Sequence, residues 1–360
     1  MTDTAAAAAL VAEDVRKAYG DVVALDGVDL AVDPGAVFGL IGPNGAGKTT
    51  LVRALTGTTD VEGDVRVFGE HPRDVDPERV GLLPQAFDPP ERLTARELVD
   101  YYGGLYENPR DTDAVLDDVG LADDADAWYE TLSGGQQRRA CVATALVNAP
   151  DVLFLDEPTT GIDPAGRRGL HRLIEDLAAA GTTIFLSSHA MAEVERLADR
   201  VALLRDGAVV VEGEPDDLVA EYGGESHLDV DLADDGTQAA AADQVGDETQ
   251  FAVERVDDHL RFTGVAPEEI AAVVNALDAA DVAFDSLSWS EPTLEDVYLE
   301  LTGETYTPRP GAGFGGDSPG ATSAVTEAET ATAQANGTTG TAGETSATDE
   351  SSATTVEGEQ

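Results

Sequence analysis

Hydrophobic residues in the first half of the chain form short continuous runs that are separated by polar and glycine-rich segments. Residues 10–30 contain strand-like apolar runs, and AVFGLIGP (36–43), DVLFLDEP (151–158) and TTIFLSSH (182–189) each form a further run. Uninterrupted apolar runs of this length are typical of strands that are covered on both faces, as in a parallel sheet. GDVRVFGE (63–70) instead alternates, which predicts a half-exposed strand.

Amphipathic segments lie between these runs and favour helices. TTLVRALTG (49–57) predicts a helix that ends at Gly57. Residues 94–147 are mainly helical in pattern, and GRRGLHRLIEDLAAAG (166–181) has the signals of a capped helix. VALLRDGAVVVEGEP (201–215) has an Asp-Gly turn between two apolar runs, which predicts a hairpin. Strands that alternate with helices predict an α/β fold with a mostly parallel sheet.

The pattern changes after about residue 222. HLDVDLA (227–233) alternates strictly, FAVERVDDHLRFTGV (251–265) predicts a second hairpin, and PEEIAAVVNALDAADV (267–282) predicts an amphipathic helix that starts at proline. We therefore predict a main domain over 1–222 and a small α+β appendage over 223–303. Residues 304–360 are rich in Gly, Thr, Ala, Ser and Glu, and we predict a disordered acidic tail there.

Charge separates this chain from an average globular protein. It has 71 Asp and Glu against 21 Lys and Arg, a net charge of −50. The last 50 residues contribute only eight of these carboxylates, so a charge of −42 remains on the rest of the chain. Only Lys17 and Lys48 are lysines. We hypothesise a protein of an extreme halophile; the alternative is an acidic protein from a GC-rich genome, in which codon bias favours Arg over Lys. The acidity disfavours nucleic acid as the main partner.

Two further absences in the sequence bear on where the chain works. It has one cysteine, Cys141, which fits a reducing compartment. No stretch reaches the ~20 apolar residues of a membrane-spanning helix, and the N-terminus lacks the basic start of a signal peptide. The sequence therefore predicts a cytoplasmic chain that acts on a membrane only through a partner.

GPNGAGKTT (42–50) matches the Gly-x-x-x-x-Gly-Lys-Thr phosphate loop and lies between a predicted strand and a predicted helix. Its glycines allow backbone N–H groups to surround phosphates, its lysine supplies a positive charge, and its first threonine is a candidate Mg²⁺ ligand. The candidate nucleotide-binding residues are Gly42, Pro43, Asn44, Gly45, Ala46, Gly47, Lys48, Thr49 and Thr50.

Two carboxylates follow the buried strand DVLFLDEP, at the end of the strand where α/β sheets bind ligands. Asp156 is a candidate Mg²⁺ ligand, and Glu157 is placed to orient or deprotonate an attacking water. His189 ends the next strand and is a candidate catalytic residue; a structural histidine is the alternative.

LSGGQQRRA (132–140) has a serine and two glycines at a predicted helix start, where free backbone N–H groups and the helix dipole favour an anion. The stretch has neither a lysine nor a carboxylate, so by itself it is an incomplete phosphate site. For the two arginines that follow, Arg138 and Arg139, we predict local ion pairs rather than phosphate contacts.

GPNGAGKTT, LLPQ, LSGGQ, LFLDEP, GIDP and SSH occur in the order found in the nucleotide-binding subunits of ABC transporters, and the chain resembles this family over residues 10–220. The resemblance implies a P-loop ABC ATPase core, a mixed sheet with a helical subdomain at about 88–147, that uses ATP and Mg²⁺. It also implies a head-to-tail dimer, either of identical chains or with a paralogue, in which the serine and glycines of one subunit bind the γ-phosphate held by the other.

The same resemblance assigns roles to single residues. Tyr19 would stack on adenine, Gln85 would sense the γ-phosphate and Mg²⁺, and Glu157 would be the general base. His189 would contact the γ-phosphate, and Asp163 would lie in the loop that crosses the dimer interface. The nucleotide-binding set in trans is Ser133, Gly134, Gly135 and Gln136, and the metal-binding set is Thr49, Gln85 and Asp156.

The C-terminal segment SWSEPTLEDVYLELTGE (288–304) resembles that of ATPases from drug-resistance and sodium-extrusion exporters, whose permeases are separate chains. We therefore expect an export motor on the inner face of the cell membrane, with residues 86–106 forming the groove for a cytoplasmic helix of the permease. The alternatives are the ATPase of an ABC importer and a soluble ABC ATPase outside transport. The transported substrate is a property of the permease.

Overall fold

The computed structural model describes residues 8–233, 245–246, 248–256 and 259–303. The disordered tail predicted for residues 304–360 lies outside these ranges. Within them, the chain forms three sheets with helices packed around them.

A six-stranded sheet forms the centre of the fold, with the order β5-β6-β7-β3-β8-β9. The first five strands are parallel, and β9 pairs antiparallel with β8. Every residue of β3 and β6 is buried, as their uninterrupted apolar runs predicted. The strands are β3 (Val37–Ile41), β5 (Val80–Leu83), β6 (Val152–Asp156), β7 (Thr183–Ser188), β8 (Arg200–Arg205) and β9 (Ala208–Gly213).

The register of this sheet places three functional strand ends side by side. Asp156 at the end of β6 pairs with Ser187 of β7, and Ile41 at the end of β3 pairs with Ser188. The segments that leave β3, β6 and β7 therefore start from one edge of the sheet, where α/β folds bind ligands.

A three-stranded antiparallel sheet packs beside the central sheet, with the order β2-β1-β4. Its strands are β1 (Leu10–Tyr19), β2 (Val22–Val32) and β4 (Glu62–Val67). Their buried side chains share one apolar cluster with the β3 residues Phe38 and Leu40. The combination of parallel and antiparallel strands confirms the predicted mixed α/β fold.

Helices cover the central sheet and connect its strands. A capping box closes the start of α2, in which the Thr94 hydroxyl accepts from the Glu97 N–H and the Glu97 carboxylate accepts from the Thr94 N–H. The helices of this part are α1 (Lys48–Leu55), α2 (Ala95–Gly103), α3 (Thr112–Asp118), α4 (Gly134–Thr144), α5 (Pro164–Ala179), α6 (Met191–Leu197) and α7 (Pro215–Tyr222).

A separate four-stranded antiparallel sheet, with the order β11-β12-β10-β13, follows α7. Buried residues of β10, β12 and the helix α8 form their own apolar cluster. The elements are β10 (His227–Leu232), β11 (Ala252–Val256), β12 (His259–Thr263), α8 (Ile270–Ala279), β13 (Phe284–Ser290) and the last helix, α9 (Leu294–Thr302). The predicted boundaries of the appendage remain a prediction.

The last helix packs on the main core rather than on the small sheet. Leu294, Val297 and Tyr298 are buried in the same apolar cluster as residues of α6 and α7. The Leu294 N–H donates to the Glu195 carboxylate at 3.1 Å, and Arg205 donates to the Thr302 carbonyl at 2.9 Å. The segment that resembles exporter C-termini thus contributes to the main apolar core.

Candidate nucleotide site

The loop between β3 and α1 has a backbone that only glycine can adopt at two positions. Gly42 and Gly47 have φ of 154° and 110°. A Cβ atom on Gly42 would lie 2.2 Å from the Leu204 carbonyl oxygen, and one on Gly47 would lie 2.3 Å from that of Ala24. The loop therefore packs on neighbouring backbone while its N–H groups precede α1, an arrangement suited to phosphate.

A pocket of 390 Å³ lies over this loop. It combines loop residues, the β1–β2 hairpin, and two residues that follow other strands of the central sheet. The lining residues are Val22, Val23, Ala24, Asn44, Gly45, Gly47, Lys48, Thr49, Thr50, Gln85 and Glu157. Eight of these are residues for which the sequence predicts nucleotide, metal or catalytic roles.

Lys48 is buried at the base of the pocket. Its ammonium group donates to the carbonyls of Gly42 at 2.7 Å and Pro43 at 3.2 Å, and its Nζ lies 3.5 Å from Oε1 of Glu157. Burial lowers the pKa of Lys48, and the charges of Glu157 and Asp156 oppose that shift. The lysine is thus held by its own loop and by the carboxylate predicted to be the general base.

Glu157 is buried and has a left-handed backbone with φ of 52°. Its N–H donates to the Ser187 carbonyl at 3.0 Å, and its Oε2 is hydrogen-bonded to Nδ1 of His189 and accepts from the Thr160 hydroxyl at 3.3 Å. The neighbouring Asp156 is buried and accepts a hydrogen bond from the Ser187 hydroxyl. The structure thus brings Lys48, Glu157 and His189 together at the strand ends.

The start of α4 is a second, separate feature, which we call the signature segment (residues 133–136). Ser133 is the N-cap: its hydroxyl accepts from the Gln136 N–H at 3.3 Å, and its N–H donates to the Gln136 side chain at 2.9 Å. Ser133 and Gly134 are exposed. In the part of the chain that the structure describes, none of these four residues lines the 390 Å³ pocket.

Asp163 caps the neighbouring helix α5. Its carboxylate accepts from the N–H groups of Ala165 at 2.8 Å and Gly166 at 2.7 Å. The two helix starts touch through glycines, because a Cβ atom on Gly135 would lie 2.9 Å from the Cα of Gly166. Asp163 and the signature segment are therefore neighbours on the surface.

Comparison with known proteins agrees with this geometry. A family model described as ABC transporter matches residues 25–160. The daunorubicin resistance ATP-binding protein DrrA3 of Streptomyces coeruleorubidus is 38% identical over 318 residues, which span 84% of this chain and 98% of that protein. The chain belongs to the ATP-binding subunits of ABC transporters.

Two further relatives specify the type and the fold of this ABC subunit. The Nod factor export ATP-binding protein I of Cupriavidus metallidurans is 35% identical over 311 residues, which span 82% of this chain and 98% of that protein. The structure of cbiO1 from Clostridium perfringens, part of the ABC transporter complex cbiONQ, matches with a TM-score of 0.52 and 27% identity over 59% of this chain and 91% of that one. The predictions of an ATP-hydrolysing motor, of the export type and of the ABC ATPase fold are confirmed.

Tyr19 lies at the end of β1 in the ABC subunit, next to the pocket rather than among its lining residues. Its side chain is 46% exposed, and the Lys17 ammonium lies 5.1 Å from its ring centroid. Val22 and Val23, which do line the pocket, are 67% and 56% exposed. These valines were not predicted from the sequence, although two apolar residues directly after a Gly-Asp turn, at the start of β2, were a usable signal.

The two arginines of α4 bind backbone rather than forming the ion pairs that the sequence predicted. Arg138 donates to the carbonyls of three consecutive residues, 156–158, and Arg139 donates to those of Val119 and Gly120. The prediction of ion pairs was wrong, because the fold places backbone carbonyls within reach of the two guanidinium groups. Burial lowers the pKa of both arginines. No helix within the described ranges is long and apolar enough to cross a bilayer.

Proposed function

We propose that two of these subunits, identical or paralogous, close head to tail on ATP, and that each supplies the signature segment that the other's pocket lacks. The observation that carries this proposal is the exposure of Ser133 and Gly134 on a capped helix start that is not part of the chain's own pocket. The positive end of a helix favours an anion, and in the proposed dimer the γ-phosphate bound in the opposite pocket would supply it.

Hydrolysis in the closed dimer would use the buried cluster at the strand ends. Glu157 would orient a water and accept its proton while the water attacks the γ-phosphorus and the bond to the β-phosphate oxygen breaks. Lys48 would exchange its loop carbonyls for phosphate oxygens, and His189, which already bonds to Glu157, would lie beside the γ-phosphate. Donors in trans that act on the developing charge are each worth roughly 3 kcal/mol.

Magnesium would be held by the Thr49 hydroxyl, Gln85 and Asp156. These oxygen donors fit the ion, because Mg²⁺ is usually bound by one or two carboxylates, here Asp156, together with substrate phosphates and water. The described residues contain no group of three acidic, histidine or cysteine side chains that would form a complete protein cage. When bound, the ion would neutralise charge on the phosphates.

A separate membrane permease would receive the force. The export ATPases named above support an outward direction of transport, and the chain would act at the inner face of the cell membrane. The candidate docking groove lies along residues 86–106, where Tyr101 and Leu105 are 62% and 66% exposed. Trp128, on the adjacent loop, is 53% exposed, and large exposed apolar side chains of this kind mark protein contacts.

The dimer is tested by the dependence of ATP hydrolysis on protein concentration. Each working site would need two chains, so we expect the turnover per chain to rise with concentration and then to level off when the dimer is saturated. Hydrolysis would be measured with the full chain over at least a hundredfold range of concentration. A turnover per chain that is constant over the whole range would contradict the proposal.

We also propose that the folded chain needs high salt. The surface ion pairs, such as those of Arg96 with Asp113 and Asp126, contribute little to stability and weaken with salt, so they predict a small loss of stability. The net charge of −50 acts in the opposite direction, since its self-repulsion is screened when the Debye length falls to about 3 Å in 1 M salt. We expect the free energy of unfolding, measured by denaturant titration, to rise from low to multimolar KCl. Full stability at low salt would refute the halophile hypothesis.

A further inference from the structure

The guanidinium group of Arg138 connects α4 to the residues that carry the catalytic carboxylate. Its Nε donates to the Pro158 carbonyl at 2.7 Å, and its Nη2 donates to the carbonyls of Glu157 at 3.0 Å and Asp156 at 3.3 Å. Three successive carbonyls of one strand end thus converge on one side chain. Only the planar, forked guanidinium has donors arranged to reach all three.

The segment that Arg138 holds has an unusual backbone. Glu157 has φ of 52°, a left-handed conformation that is costly for a residue with a side chain and persists only where surrounding contacts hold it. The turn brings the carbonyls of residues 156–158 to one side, toward Arg138, while the Glu157 carboxylate lies beside Lys48 and His189. Removal of the guanidinium would take a donor from each of these carbonyls and leave the turn with weaker support, namely the bonds from the Thr160 N–H to the Glu157 carbonyl and from the Glu157 N–H to the Ser187 carbonyl.

The same helix begins at the signature segment. Arg138 lies five residues after Ser133, or about 7.5 Å along the helix at 1.5 Å per residue. Since α4 is a regular hydrogen-bonded helix over this length, a shift or tilt of its exposed start also moves the root of the Arg138 side chain.

We infer that Arg138 is a positioning residue that links the nucleotide bound by the signature segment to the main chain of the chain's own Glu157. The inference rests on the proposed function, in which the signature segment binds the ATP of the opposite site. Arg138 would then join the two ATP sites of the dimer: closure on the nucleotide in one site sets the geometry of the general base in the other.

Arg139 provides a matched control. It is the next residue on the same helix, and its Nη1 donates to the carbonyls of Val119 at 2.7 Å and Gly120 at 2.9 Å. It therefore donates to backbone carbonyls as Arg138 does, but at the two residues that follow α3 rather than at residues 156–158.

The experiment compares Arg138→Lys with Arg139→Lys in the full chain. For Arg138→Lys we expect kcat to fall roughly 10- to 100-fold, since small displacements of a catalytic group have effects of this size. The Kd for ATP, measured with a fluorescent ATP analogue on the dilute monomer, should stay within about twofold of the parent value, because Arg138 does not line the pocket. The Hill coefficient for ATP should fall toward 1. Arg139→Lys should keep the parent's kcat and Hill coefficient.

A second variant, Arg138→Gln, places no charge in the half-buried site and serves if the lysine variant fails to fold. The inference is overturned if a folded Arg138 variant keeps the parent's kcat and Hill coefficient, or if Arg139→Lys loses as much of both. Failure of the proposed function appears differently: the parent itself would then show a constant turnover per chain over the concentration range and no cooperativity in ATP.

Discussion

Glutamine in place of Glu157 is expected to lower the rate of ATP hydrolysis by about 10²- to 10⁴-fold, the usual contribution of a general base. The substitution preserves size and shape but removes the negative charge that accepts the proton. It also releases Lys48 from the carboxylate 3.5 Å away, so ATP binding should be retained or strengthened. Hydrolysis and equilibrium binding of ATP, measured on the same preparation, check both expectations.

The trapped ATP should also stabilise the closed dimer, because the step that separates the subunits is blocked. We expect Glu157→Gln to run as a dimer with ATP and as a monomer without it in gel filtration at high salt. Glu175→Gln is the control, since Glu175 is an exposed residue of α5 that pairs with Arg196. A Glu157→Gln chain that stays monomeric with ATP, while the parent dimerises, would contradict the role given to Glu157.

Arginine in place of Ser133 is expected to abolish turnover and to leave ATP binding by the separate subunit nearly intact. The long side chain would occupy the space in which, in the proposed dimer, the signature segment would meet the opposite nucleotide, and the hydroxyl that caps α4 would be lost. Ser133 is exposed and does not line its own pocket, so the phosphate loop of the same chain is unaffected. ATP affinity of the dilute monomer and steady-state hydrolysis separate these two effects.

The loss of the cap alone costs about 1 kcal/mol, and it needs its own control. Asp111→Arg is suitable, because Asp111 caps α3 through the Ala114 N–H at 3.1 Å and is exposed in the same helical region. This variant loses a cap and gains the same side chain away from the signature segment. It should hydrolyse ATP within about twofold of the parent, and an equal loss of binding and turnover in Ser133→Arg would refute binding in trans.

The sequence predicted the pocket well because its elements are local. The phosphate loop needs glycines where Gly42 and Gly47 approach neighbouring backbone, and these requirements are visible in a short motif. Buried parallel strands have uninterrupted apolar runs, which is why β3, β6 and β7 were predicted together with the candidate residues at their ends. Each of these features depends on the residue types within ten positions of one another.

The features that the sequence did not predict depend on distant parts of the chain. Arg138 meets the carbonyls of residues 156–158 only because α4 packs beside the end of β6, and charge composition favoured carboxylate partners instead. Likewise, α9 packs with the core of α6 and α7 although about 70 residues and a separate sheet come between them. No hydrophobic periodicity or local motif in the sequence indicates either contact, so both become visible only in the folded structure.

The contact between Gly135 and Gly166 joins the starts of α4 and α5, which belong to two separate motifs in the sequence. No side chain fits between the starts of α4 and α5, so their backbones are in direct contact. Close packing of this kind opposes a relative displacement of the two helix starts. In the proposed dimer, the signature segment and Asp163 would therefore move together rather than independently.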